Sequence, residues 1–217
     1  MEKKNKTKRR RGRPPKAKCF RDGSKPNYLE PKDRIKNVAI DLFHKKGFHG
    51  ASIREIAEAA EVTKPVIYYH YDSKEGLYKF ILREAMTEVS DLYLNFAGLI
   101  DEERPCVLLK KATKALFEWI GRNRPRANML IFTLVTRDPA FDEICDEYVE
   151  TRKKILWPVF VKGIETGNIP LKEPETAYVA FTSLVIGLEM LSCVTGNDLT
   201  TSDYANKAID LLIGECQ

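Results

Sequence analysis

The chain has 217 residues, 43% hydrophobic and 31% charged, with a formal net charge of +5. That length and apolar content suffice to bury a sizeable core without disulfide staples. Its five cysteines, Cys19, Cys106, Cys145, Cys193 and Cys216, are widely spaced and form no CxxC pair, which argues against a disulfide framework or a zinc site and for a reduced, cytoplasmic protein.

Charge is distributed unevenly: residues 1–30 carry +9, residues 31–80 carry +2 and residues 81–217 carry −6. A basic end on a mildly acidic body is the footprint of a chain that meets nucleic acid at one end only. Apart from Phe20, Tyr28 and Leu29, residues 1–30 offer almost nothing to a core, so the expectation is a disordered basic tail. No apolar run follows the charges, which argues against a secretory signal. Within the tail, Arg11-Gly12-Arg13-Pro14 resembles an AT-hook. Gly12 would let the backbone approach the floor of an A·T-rich minor groove, Pro14 would hold an extended path, and Arg11 and Arg13 would enter the negative potential there. The competing reading is a generic basic arm on phosphates; a nuclear-localisation signal ranks third.

Three short helical patterns follow. The first buries Ile35, Val38, Ala39, Leu42 and Phe43 and stops at Gly47. Ser52 and Glu55 have capping-box spacing before a second face through Ile53, Ile56, Ala57 and Ala60. After a turn at Glu61-Val62, Thr63 can cap a third helix with Pro65 in its first turn, where a missing N–H costs nothing. That helix carries Tyr68, Tyr69 and His70 where a core helix would be aliphatic. Two helices joined by a short turn, the second rich in hydrogen-bonding groups, is the helix-turn-helix arrangement for the major groove. A plain three-helix core with its aromatics turned inward has the same spacing.

The wording of this segment, from Ala39 through Ser52-Ile53-Arg54-Glu55-Ile56-Ala57 and Val62-Thr63-Lys64-Pro65 to Tyr68-Tyr69-His70-Tyr71 and Lys74, resembles the DNA-binding domain of the TetR family of bacterial transcriptional regulators. The resemblance implies that Thr63, Lys64, Pro65, Val66, Tyr68, Tyr69 and His70 lie in or beside the major groove, and that Ser52 and Lys74 contact phosphates. Many members place Gly where this chain has Glu61, so a slightly strained turn with a solvent-facing carboxylate is expected there.

From Leu77 onward the patterns are helical throughout: a fourth helix through Leu77, Phe80, Ile81, Ala85, Val89, Leu92 and Phe96, then segments near 105–123, 125–136, 139–166, 174–194 and 202–216. The division expected is a tail over 1–30, a helix-turn-helix domain over 31–77 and a helical effector-binding and dimerisation domain over 78–217, all-α in class. The apolar stretch Ala177 to Val194 is borderline in length for a membrane span, and Glu189, Thr182 and Ser183 within it argue for a buried or interface helix instead. Residues 202–216 form a second amphipathic helix, and two such helices from each of two chains would make a four-helix dimer interface, as the family resemblance also implies.

Family resemblance further implies a cavity among the middle helices, for which Trp119, Phe132, Tyr148, Trp157 and Phe181 are candidate lining residues. Arg137, Arg152 and Glu189 are candidate polar contacts, but each reads first as a surface or interface charge. His44, His49 and His70 show no metal-ligand spacing, and GxSxG, P-loop and GxGxxG motifs are absent, so neither metal, cofactor nor catalysis is expected. The sequence reading is a homodimeric repressor that binds a palindromic operator and leaves it when a small, largely apolar molecule binds. The alternative is an architectural protein of the same fold, without an effector, that clamps A·T-rich DNA with its tail.

Overall fold

A computed structural model describes residues 30–195, 199 and 202–214. All its elements there are helices: α1 (Pro31–Gly50), α2 (Ile53–Ala59), α3 (Lys64–Tyr71), α4 (Lys74–Ala97), α5 (Pro105–Arg122), α6 (Arg124–Thr136), α7 (Asp142–Glu165), α8 (Pro174–Thr195) and α9 (Ser202–Ile213). The tail lies outside the described residues, so the hook expected at Arg11 to Pro14 receives no structural description.

The head, α1 to α3, is built around Ile35, Ala39 and Phe43 of α1, spaced four apart and buried against Ile56 and Ala57 of α2 and Ile67 and Tyr71 of α3. Gly47 adopts φ +70°, breaking the helix where the sequence indicates, although one further turn runs on to Gly50. Both halves of the α2 capping box form: Ser52 Oγ accepts from the Glu55 N–H at 3.2 Å, and Glu55 Oε2 accepts from the Ser52 N–H at 3.0 Å. The hydroxyl of Tyr71 donates to the Lys32 carbonyl at 2.9 Å, fastening the end of α3 to the start of α1.

Between α2 and α3, Glu61 is exposed and sits at φ +53°, so the strain and outward carboxylate expected at this turn are both present. A left-handed conformation costs an L-residue with a Cβ on the order of 1 kcal/mol relative to glycine, partly offset by glycine's greater freedom in the unfolded chain. Glu61→Gly is therefore expected to stabilise the head by about 0.5–1 kcal/mol. Urea unfolding followed by circular dichroism checks this; a loss of stability would mean that the carboxylate makes a compensating contact.

Helix α4 joins head to body. Ser73 caps it, accepting from the Gly76 N–H at 2.8 Å, and its buried residues run from Leu77 and Tyr78 at the head to Val89 and Tyr93 in the body. At the junction, the rings of Phe43, Phe48, Tyr78 and Phe141 pack edge-to-face or tilted at centroid distances of 4.6–6.2 Å. The Tyr78 hydroxyl meets Thr133 Oγ1 at 2.9 Å, and His49 Nε2 meets Asp138 Oδ2 at 2.8 Å. Head and body therefore share one continuous core, through which a shift of α4 would be transmitted.

In the body, α5 and α7 flank α4, α8 packs on α6 and α7, and α9 packs on α5. The segment after Pro139 begins its helix only at Asp142, because Asp138 first makes a turn: its side chain accepts from Ala140 N–H and its carbonyl from Phe141 N–H. Helix α8 is the one described helix long and apolar enough to cross a membrane. It is a packed helix of this fold, burying Tyr178, Phe181, Val185 and Glu189 on one side while Val179, Leu191 and Val194 are exposed on the other.

Candidate nucleic-acid interface

Helix α3 has two unlike sides. Ile67 and Tyr71, four residues apart, face the head's core; Thr63, Lys64, Pro65, Tyr68 and Tyr69 face outward. Tyr68 is 46% and Tyr69 84% exposed, while Val66 and His70 are half-buried at the edges of the same face. The reading in which the aromatics turn inward thus holds for Tyr71 alone. Thr63 is the residue before α3, as the sequence suggests, but its side chain makes no capping hydrogen bond. Pro65 has no N–H and the Val66 N–H donates to the Thr63 carbonyl at 3.0 Å, so this end of the helix dipole presents the Lys64 amide together with the Lys64 cation.

Ser52 and Lys74, the two expected phosphate contacts, are both engaged within the head. The Ser52 hydroxyl is held by Glu55, its Oγ 2.8 Å from Glu55 Oε2. Glu55 also takes Lys46 Nζ at 2.5 Å, and this pairing, followed by the bonds from Ser52, lowers its carboxyl to a pKa of about 2. The ammonium of Lys74 donates to the carbonyls of Phe48 at 2.9 Å and Ala51 at 3.0 Å and lies 4.4 Å above the Phe48 ring. Lys74 thereby ties the α1–α2 turn to α4, with one of its three N–H donors left over. That tie spans more than twenty residues of sequence and has no local signature.

A second candidate region lies in the body, where residues of α4, α5, α6, α7 and α8 enclose a cavity of about 30 Å³, room for about one water. Of the five aromatics proposed from sequence, Trp119 and Tyr148 line it. Helix phase keeps the other three off its wall. Phe132 is exposed on the outer side of α6 near the junction with the head. Trp157 lies on the outer face of α7 with Lys153 Nζ 5.2 Å above its ring, and Phe181 is core, packed 5.5 Å from the Phe160 ring.

Arg152 and Glu189 also line the cavity and are buried, 8% and 0% exposed, so their reading as surface or interface charges is wrong. Their phase would have shown it: Arg152 lies one turn from both Tyr148 and Leu156, and Glu189 one turn from Val185, each on its helix's buried side. Arg137 is a surface charge, in ion pairs with Asp142 at 3.2 Å and Asp146 at 2.7 Å. Burial raises the hydroxyls of Tyr93 and Tyr148 above the ordinary tyrosine range, which keeps both protonated and able to donate. Tyr148 also lines a groove of about 300 Å³ between α4 and α7, where Arg83 and Glu147 pair at 2.8 Å. Among the described residues no cluster of His, Cys, Asp or Glu is placed to hold a metal.

Residues 35–80 match the family described as bacterial regulatory proteins, tetR family. Over 100 residues the chain is 33% identical to the HTH-type transcriptional regulator RutR of Escherichia coli strain K12, covering 46% of this chain and 45% of RutR. Over 89 residues it is 32% identical to IcaR of Staphylococcus aureus strain Newman, the HTH-type negative transcriptional regulator of the biofilm operon icaADBC, covering 41% of this chain and 45% of IcaR. The chain thus spans about half the length of the relatives it matches in sequence. The likeness in fold extends further. The TetR family transcriptional regulator PfmR from Thermus thermophilus superposes with a TM-score of 0.72 at 19% identity, over 85% of this chain and 100% of PfmR. FadR from Bacillus subtilis, solved with stearoyl-CoA, gives 0.71 at 18% identity over 84% and 98% of the two chains. AibR, solved with isovaleryl coenzyme A and operator DNA, gives 0.70 at 21% over 85% and 99%. The chain therefore has the fold of TetR-type regulators, with a TetR-type helix-turn-helix domain at its N-terminal end.

Proposed function

We propose that this chain, with its TetR-type head on a TetR-type fold, is a DNA-binding transcriptional regulator, and specifically a repressor that a small, largely apolar effector releases from its operator. The observation that carries the reading is the outward face of α3, which exposes two tyrosines, a lysine and the start of a helix whose other side is core. Helix N-termini and lysine bind phosphate, and aromatic faces touch thymine methyls and sugars. Ser52, Thr63, Lys64, Pro65, Val66, Tyr68, Tyr69, His70 and Lys74 form the DNA-facing set, residues 31–77 the reading domain and residues 78–217 the effector and dimer domain. The protein would act in the cytoplasm, without a catalytic role.

A dimer is supported by the exposed apolar groups of α8 and α9, Val179, Leu191, Val194, Tyr204 and Leu211. Two heads so joined would address half-sites about 34–36 Å apart, or a multiple of that, in a palindromic operator. Purified chain incubated with a random duplex library is expected to enrich a two-fold symmetric sequence; recovery of DNA without sequence bias would contradict the reading. The effectorless architectural alternative also has an observation in its favour, the small volume of this cavity. Stabilisation by members of a small-molecule panel separates the two, since only the regulator has a ligand to gain.

The tail extends the contact. Arg11, Gly12, Arg13 and Pro14 would enter the minor groove beside the operator, tethered to a head already bound. Deleting residues 1–18 removes ten Lys/Arg and one Glu from each chain. The slope of log affinity against log salt should become shallower by about 0.9 for each phosphate no longer neutralised. With a groove-inserting hook the loss is larger on operators with A·T-rich flanks, and Arg13→Ala reproduces that preference. Equal losses on A·T-rich and G·C-rich flanks would reduce the tail to an electrostatic arm.

A further inference from the structure

Arg152 stands in an arrangement that the folded chain itself does not complete. Its guanidinium is buried, its Nε has no hydrogen-bond partner, and among the described residues it makes no ion pair. Glu189 lines the same cavity but is not among the electrostatic neighbours of Arg152, which are tyrosines. The Tyr148 ring lies 5.6 Å from Arg152 Cζ, and Tyr93 and Tyr178 are its other electrostatic neighbours. A charge withdrawn from water with no counter-ion is costly, and a leucine or methionine at this point in a largely apolar wall would avoid that cost.

We propose that the effector is a carboxylate on an apolar body and that Arg152 receives its carboxylate. The inference rests on the effector reading given above and adds the ligand's chemistry to it. A guanidinium presents a planar fork of donors that matches the two oxygens of a carboxylate, and the tyrosine hydroxyls supply further donors to an anion. Most of the remaining wall, including Leu116, Ile120, Leu130, Val185 and Ile186, offers apolar surface to the remainder of the molecule. The cavity is too small for such a ligand as it stands, but Tyr148 lines both it and the groove of about 300 Å³ between α4 and α7. Rotation of that one ring would join the two spaces, and the joined volume would reach the lower end of the usual range for ligand pockets. A body lodged there would press on α4, the helix that carries the head.

The test uses the full chain and matched probes: octanoate and decanoate, their primary amides, and octanoyl-CoA, titrated by calorimetry. The carboxylates are expected to bind at least roughly tenfold more tightly than the amides, the worth of a charge-assisted hydrogen bond. They should also bind more tightly than the thioester, which has no free carboxylate to enter the cavity. Arg152→Gln should bring acid and amide to equal affinity, and Arg152→Met should melt at a higher temperature than the wild type without ligand, because an unpaired buried charge is gone. Amides or thioester binding as tightly as the acids overturns the inference while leaving an effector site. Arg152→Met melting lower, with the acid preference of Arg152→Gln intact, makes the arginine a structural group and also overturns it. If no probe binds, enrichment of an operator by the same preparation decides how far the failure extends: with enrichment only the ligand inference falls, and without it the regulator reading falls as well.

Discussion

Gly76→Ala is expected to disable the head, although helix propensity alone points the other way. Gly76 lies in the first turn of α4, where exchanging glycine for alanine ordinarily stabilises a helix by up to about 1 kcal/mol. A Cβ at this position would stand 2.2 Å from the carbonyl oxygen of Tyr71, a backbone atom at the end of α3 that cannot swing aside. The same carbonyl accepts from Ser73 N–H at 2.6 Å, and the Gly76 N–H is the one that Ser73 caps. Relief would require α3 and α4 to separate, at an expected net cost of about 3 kcal/mol. For a chain of this length that lowers the melting temperature by roughly 6–12 °C. Operator affinity should fall with it, since α3 would lose its seat. A variant as stable as the wild type would show that the α3–α4 turn is more compliant than its geometry indicates.

The second large effect concerns the dimer. Leu211 is 90% exposed on α9, and Val194 and Leu191 are exposed on α8, positions where apolar side chains gain nothing from water. Changing Leu191 and Leu211 together to aspartate places four carboxylates in the proposed interface of each dimer. Analytical ultracentrifugation is expected to find a monomer, with helical content retained because neither side chain is part of the protomer's core. Each head would then bind alone, and the loss of tethering should weaken operator binding by about 10²- to 10⁴-fold. A double variant that remains dimeric would place the interface on another face.

Much of the head is legible in the sequence because its signals are local. The Ser52–Glu55 capping box, Pro65 in the first turn of α3 and the unusual Glu61 each act over four residues or fewer, and all three stand where the spacing indicates. The body is legible as helices but not as a cavity. An aromatic inventory ignores helix phase, which sends Phe132 outward, Phe181 into the core and only Trp119 and Tyr148 to the cavity wall. Charge type misleads in the opposite direction: it suggests solvated groups at Arg152 and Glu189, although their positions one turn from Tyr148 and Val185 place them on buried faces. The roles of Lys74 and Tyr71 as ties depend on carbonyls 23 to 39 residues away, and no periodicity reports such contacts.

The outward face of α3 is the centre of the account, and competition binding at fixed salt tests it. Wild type and the Tyr68→Ala/Tyr69→Ala variant are titrated against the enriched operator and a scrambled duplex of equal length, with melting temperatures taken on the same samples. Good base contacts are worth about 1–3 kcal/mol each, so removing two should reduce the preference for operator over scrambled DNA by roughly 30-fold or more. Binding to the scrambled duplex, which depends on phosphate contacts, should change little, and the melting temperature should stay close to that of the wild type because neither ring is buried. An unchanged preference, with affinity falling only as far as the folded fraction falls, would contradict the account.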